Sequence, residues 1–461
     1  MSTTPDDETR EETREESSAA PSRATRVIEA LPEGTYSIGA GLIVAGLTAY
    51  GFQILAARQL TSTEYAALNG LWVILFIVAP GFFQPIEQEV SRALAHRRAQ
   101  GIGGGPLVKR AALLGFVLAS AVAVVALLFS PRLVENVFHD EDLLIVALIL
   151  GIFSFYLAHT TRGVLSGNGR FGAYGMMHAA EGALRITFCL VLFITGAGTP
   201  WLYGLALMLP PMGAVLVSLR GQKDLITPGP EAPYSELSNA LAILLGASVL
   251  AQALSYGSFI AVNVLASDSE KDMAGKFITG LFLARIPILL FLAVQAALLP
   301  KLAAFASSGR HDEFRVGMRR LVLVVTGLGI VGVIGGATLG PWAGELLFGQ
   351  DKFILDNRDL ALLAAASGAF ILALTLAQGL IALRSYGAAM FAWLAGIVGL
   401  VVVTAFSTDD LFLRVELGSL AGSMIAAAVM GLALLLRMRK HIPADALEDL
   451  VDNIGHEPLE I

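Results

Sequence analysis

Apolar runs of about twenty residues recur between residues 36 and 436, each long enough to cross roughly 30 Å of hydrocarbon. They fall near 36–57, 67–90, 108–130, 142–161, 174–195, 199–218, 239–265, 277–303, 319–341, 359–382, 386–406 and 412–436. Backbone polar groups inside a bilayer must be satisfied within the crossing segment, so each run is expected to be a helix. The expected fold is an all-α polytopic membrane protein with twelve transmembrane helices. Composition agrees: 55% of the 461 residues are hydrophobic and 15% are charged, against about 25% charged in soluble domains. Mean hydropathy is +0.70. No connection inside the apolar region exceeds about twenty residues. That leaves no room for a soluble catalytic domain, and the chain is not expected to be an enzyme.

Charge distribution orients the helices. With the N-terminus cytoplasmic, the inward connections and the segment after the last run carry about 18 Lys and Arg, and the outward ones about 7. This is the positive-inside asymmetry, and dropping one run would scramble it. A multi-pass protein of the plasma (bacterial inner) membrane with both termini cytoplasmic is therefore expected. Residues 1–35, with Asp6, Asp7, Glu8, Glu11, Glu12, Glu15 and Glu16, read as a disordered acidic tail without the apolar core of a signal peptide. Residues 437–461 read as a second cytoplasmic tail. Its Leu447, Leu450, Val451 and Ile454 stand at helical spacing among acids.

The runs divide into halves. Thr61–Ala66 after run one is echoed by Glu270–Gly275 after run seven, and Arg170–Tyr174 by Ser385–Ala389. Six helices per half is an even number, so the halves are parallel repeats. Residues 36–218 and 239–436 are expected to form two six-helix bundles around a central site. A polar linker, 219–238, holds Pro228, Pro230 and Pro233. Proline suggests kinks in runs two and eight, at Pro85, Pro287 and Pro300.

Several motifs carry no chemistry. Gly167–Gly172 matches G-x-G-x-x-G, but no strand precedes it, so it reads as a helix–helix turn. The single cysteine, Cys189, excludes a disulfide framework and a cysteine metal cluster. No nucleotide-binding or nucleic-acid signature is present, and no cofactor is expected. Gly329, Gly332, Gly336 and Gly340 give run nine a small-residue packing face.

Ala57-Arg58-Gln59-Leu60-Thr61-Ser62-Thr63-Glu64-Tyr65 is similar to the opening signature ARxLxxxEYG of polysaccharide-export flippases, with Ala66 in place of the final glycine. Pro85–Arg92, Leu283–Pro287 and Gln295–Pro300 resemble the second and eighth helices of actinobacterial members. Together they resemble the multidrug/oligosaccharidyl-lipid/polysaccharide (MOP) exporter superfamily, Wzx-type branch, over residues 36–436. The resemblance implies two bundles in a MATE-like V shape. It also implies movement of a lipid-linked oligosaccharide from the cytoplasmic to the outer leaflet. Implied partners are membrane lipids, the glycan lipid, and a glycan polymerase or glycosyltransferases.

Ionisable groups at membrane depth are costly and mark candidate sites. Arg185 lies near the middle of run five with Glu181 one turn before it. A planar guanidinium suits a diphosphate, yet the i,i+4 spacing also allows simple neutralisation by Glu181. Arg285 in run eight either faces the same cavity or snorkels to the interface. Gln53, Gln252 and Gln295 could meet sugar hydroxyls or bond between helices. Glu89 could carry a coupling proton but is expected to pair with Arg92 or basic loop residues at the interface, and His159, open to the same two readings, is expected to be a satisfied buried histidine. Two alternatives stand beside the flippase. A cation-coupled multidrug antiporter of the same fold generally needs a carboxylate in the first helix, where this chain's most polar residue is Gln53. A non-transporting scaffold of a polysaccharide synthase would depend on the tails.

Overall fold

The computed structural model describes residues 35–233, 237, 241–267, 269–288, 291, 305, 308–383 and 385–439. Regular structure among them is helical throughout. In the first half, α1 is Thr35–Gln59, α2 Ser62–Ala99 and α3 Gly105–Leu128. Then α4 is Leu143–Gly167, α5 Phe171–Thr195 and α6 Pro200–Leu219. In the second half, α7 is a pair, Leu241–Ser255 and Gly257–Leu265, bent by 56°. The next two helices are α8, Lys271–Ala284, and α9, His311–Phe348. The last three are α10, Asn357–Ala382, α11, Tyr386–Phe406, and α12, Leu411–Arg439. Among the described residues ten helices are long and apolar enough to cross a membrane, and the bent α7 passes as a pair. The remainder of the expected run 277–303, including Gln295 and Pro300, lies outside the described residues, as do 1–34 and 440–461.

Local chemistry sets several boundaries. Thr61 and Glu64 close a capping box at the start of α2, and Asp356 and Asp359 do the same for α10. The irregularity in α2 sits at Ala79–Phe83, a π turn around Pro80, rather than at Pro85. Pro80 has no N–H to donate, and its carbonyl accepts from the Ser248 hydroxyl of α7 at 2.8 Å. Pro85 falls in the first turn of the segment that follows, where a missing N–H costs little. Helix α8 ends at Ala284, before Pro287.

The pairs α1–α5, α5–α6, α4–α6 and α3–α4 touch, and so do α7–α11, α11–α12, α10–α12 and α9–α10. Each second-half pair is its first-half counterpart shifted by six helices. Small residues allow the closest approaches. A Cβ on Gly175 would stand 2.1 Å from the Ser37 carbonyl oxygen across the α1–α5 contact. The glycine face of α9 packs mainly on α10. Large apolar side chains on α3, α5, α9, α11 and α12 remain exposed, as lipid-facing surfaces require. Residues 225–231 of the linker fold back on the first half: Arg97 donates to the Gly103, Pro230 and Glu231 carbonyls, and Asn168 to that of Leu225.

Call the side on which α1 begins the near face. The far face then holds the ends of α1 and α9, where the halves brace each other. Arg58, at the end of α1, donates to the Leu347 and Leu346 carbonyls at the end of α9, at 2.8 and 2.6 Å. Lys352, after α9, donates to the Ala57 and Leu60 carbonyls at the end of α1. Each cation therefore satisfies carbonyls that the opposite helix leaves unpaired, at its negative pole.

Candidate functional site

A buried ionic network joins α2, α4 and α5. Glu181 is 5% exposed and holds two cations, one per oxygen. Arg185 of its own helix donates to Oε1 at 2.5 Å, and Arg162 of α4 donates to Oε2 at 2.5 Å. Next to this, the Tyr174 hydroxyl donates to Glu87 Oε1 at 2.8 Å, and His159 Nδ1 lies 2.7 Å from Oε2. Two arginines and two carboxylates thus share one low-dielectric region, with His178 beside them. Arg162 Nε, Arg185 Nε and His178 Nε2 are buried without a partner.

The network reaches the boundary between the halves through Trp72. The Arg185 guanidinium lies 6.0 Å from the Trp72 ring, and Trp72 lies beside Tyr256 at the bend of α7. On the other side of that tyrosine, the Arg285 guanidinium sits 4.3 Å from the ring centre. Arg285 also donates to the Ser255 carbonyl at 2.6 Å and the Ser255 hydroxyl at 2.8 Å. Among the described residues it makes no ion pair with a carboxylate. Two arginines from opposite halves therefore flank one aromatic bridge, Trp72–Tyr256. Arg285 is folded onto the aromatic rings rather than extended to an interface.

The other expected residues lie elsewhere. Gln53 is buried in the first half, where its Oε1 accepts from the Tyr65 hydroxyl at 2.9 Å and its Nε2 has no partner. Gln252 is half-buried one turn before Tyr256. Gln295 is outside the described residues. Glu89 pairs with Arg92 at 2.9 Å, and Cys189 is free and buried. Two groups escaped the sequence reading. Arg162 follows the expected run 142–161 and so reads as a connection charge, but α4 continues to Gly167 and buries it. Glu416, on α12, is fully buried and was not singled out. An acid inside an apolar run was its only signal.

No family model matches the chain. An uncharacterized protein of Mycobacterium tuberculosis is 26% identical over 415 residues, covering 86% of this chain and 91% of the relative. A second uncharacterized protein of that organism is 26% identical over 374 residues, covering 78% and 82%. Among solved structures, an outward-facing multidrug resistance MATE family transporter of the MOP superfamily superposes with a TM-score of 0.69. It is 14% identical, and the match covers 91% of this chain and 98% of that one. A Vibrio cholerae MATE transporter gives 0.66 at 14% identity, covering 90% and 99%. The chain has a MATE-like fold.

Proposed function

We propose that this protein is a flippase that carries an anionic, lipid-linked oligosaccharide, a prenyl-diphosphate sugar, from the cytoplasmic to the outer leaflet for polysaccharide synthesis. The observation that carries the reading is the pair Arg185 and Arg285 on the two sides of the Trp72–Tyr256 bridge, with Arg285 making no ion pair among the described residues. A half-buried cation without a carboxylate favours an anionic ligand, and a guanidinium matches phosphate oxygens in pairs. Tyrosine and tryptophan rings offer faces on which sugars stack. A site for cationic drugs would call for the reverse sign, and α1 supplies no carboxylate. A glycan polymerase or glycosyltransferase is the partner such a step requires.

The multidrug antiporter reading keeps one support, the MATE fold of the structural neighbours, which fits it equally well. Reconstitution separates the two. Proteoliposomes loaded with a fluorescent short-chain prenyl-diphosphate sugar are treated with a membrane-impermeant quencher. Protein-dependent quenching of the inner-leaflet pool, lost in Arg285→Gln, is the expected result. Efflux of a cationic dye with no movement of the sugar lipid would overturn it.

A further inference from the structure

Glu416 is 0% exposed, and neither of its carboxylate oxygens has a hydrogen-bond partner among the described residues. Its surroundings do not neutralise it. Asp359 on α10 spends Oδ1 on Arg358 at 2.8 Å and Oδ2 on the Asp356 backbone N–H at 3.1 Å. Around this end of α12 the charged groups are Asp356 at the cap of α10, Arg358 and Asp359 within it, Asp410 just before α12 and Arg414 in its first turn. Arg414 lies within electrostatic range of Glu270. From α8, which meets the start of α12 through the Phe277–Phe412 stack, Lys276 pairs with Asp272. From α7, Ser258 bonds to Ser419 one turn on from Glu416, and from α11 the Thr404 hydroxyl lies against Gly418. The Thr404 hydroxyl is itself buried without a partner.

An anion stripped of water and of hydrogen bonds is strongly disfavoured. A bound proton or a coordinated cation would remove the charge. Among the described residues no three acidic, histidine or cysteine groups gather to hold a metal ion. No donor or acceptor among the described residues reaches the Glu416 oxygens, so these residues build no coordination shell around them. A proton needs none.

The same face of α12 continues inward to Ser419 and Ser423, and that of α10 from Asp359 to Leu363 and Ser367. These residues, with Ser255, Ser258 and Arg285, line a cavity of about 30 Å3. By that measure a water takes about 10–15 Å3, so the cavity has room for about two. The Ser258 and Ser419 hydroxyls within it are 2.5 Å apart. Serine hydroxyls and a cavity with room for water thus lead from one turn below Glu416 to Arg285 at the boundary between the halves.

We propose that Glu416 is a proton-binding site, with the serine-lined cavity as its exchange path and Arg285 as the charge that senses it. On release the carboxyl O–H bond breaks, its electron pair stays on the carboxylate, and the proton passes to cavity water and on to bulk. Rebinding reverses the step. Release leaves a negative charge one turn from the cavity that Arg285 lines, and so alters the pull on that guanidinium at Ser255 and Tyr256. The inference goes beyond the proposed substrate and holds for a diphosphate lipid and a cationic drug alike.

Infrared difference spectroscopy of the purified full-length protein in lipid, titrated from about pH 4 to about pH 9 to span ordinary and buried carboxyls, tests it without any substrate. The wild type is expected to show a protonated-carboxyl band that disappears on the alkaline side and is missing in Glu416→Gln. Glu416→Asp is expected to move the band in frequency, which serves as the second readout if the glutamine variant fails to fold. Ser419→Val, which fills the cavity, is expected to slow deuterium exchange of the band several-fold. A titrating band unchanged in both Glu416 variants, or no such band in the wild type, overturns the proposal.

Discussion

Arg162 reaches from α4 to within 2.5 Å of Glu181, so the carboxylate that Arg185 holds from its own helix is held twice. This changes what each deletion leaves behind. Arg185→Ala leaves Glu181 paired with Arg162. Abundance in the membrane is therefore expected to stay near wild type while substrate movement is lost. Glu181→Ala strands two buried guanidinium groups, and breaking a buried pair in this way costs about 3–5 kcal/mol. Its thermal unfolding in detergent should shift down far more than that of Arg185→Ala. Equal losses of abundance in the two variants would mean that Arg162 does not compensate. A fully active Glu181→Ala plus Arg185→Ala double variant would remove Arg185 from the substrate site.

The far-face brace gives a second expectation. Arg58 and Lys352 each bond to carbonyls at the end of a helix in the opposite half. A cation at a helix C-terminus is worth about 0.3–1 kcal/mol, and up to about 2 when partly buried. Removing both should shift the balance between closed and open far faces by about 5–30-fold. Spin labels placed across that face in Arg58→Gln plus Lys352→Gln should show a longer-distance population that the parent lacks. An unchanged distance distribution would mean the closure is held by helix packing instead.

The helices were legible because each is an uninterrupted apolar run, and the Glu181–Arg185 pair because i,i+4 contacts are written in local spacing. The partners that define the site were not local. Arg162 joins Glu181 from 19 residues away across a turn, and Trp72 meets Tyr256 from the other half. Arg58 and Lys352 stand between apolar runs, and nothing in a sequence marks a carbonyl some 290 residues away as the acceptor. Pro85 drew attention in α2 although Pro80, five residues earlier, is where a neighbouring helix supplies the compensating hydroxyl. Gln53, read as a sugar ligand or an interhelical group, bonds to Tyr65 of the adjacent helix.

Close packing of α1 on α5 predicts an asymmetry between two glycines of one helix. A Cβ on Gly175 would lie 2.1 Å from a backbone oxygen of α1, whereas one on Gly172 would meet nothing within 4 Å. Backbone cannot swing aside as a side chain can. Gly175→Ala should therefore force the helices apart, at an overpacking cost of about 1–3 kcal/mol, and lower the yield of folded protein. Gly172→Ala should purify like the parent. Size-exclusion profiles and thermal shifts of the two variants decide this, and matched behaviour would contradict the contact.

The cap of α10 is sensitive to pH on the acid side. Asp356 accepts the Asp359 backbone N–H at 2.9 Å, and this bond holds its carboxyl below the ordinary aspartate range. The folded protein therefore binds that proton more weakly than the unfolded chain does. The cap's contribution is complete above the ordinary range and is lost as pH falls through the folded value. Near neutral pH, Asp356→Ala should cost about 1 kcal/mol, the usual worth of an N-cap. Asp356→Asn should keep most of the cap, because its side-chain oxygen still accepts, while removing this residue's share of the acid-side decline. Unfolding midpoints of the three proteins, followed from neutral pH into acid, separate these effects. An asparagine variant that declines in acid as steeply as the parent would show that the slope arises elsewhere.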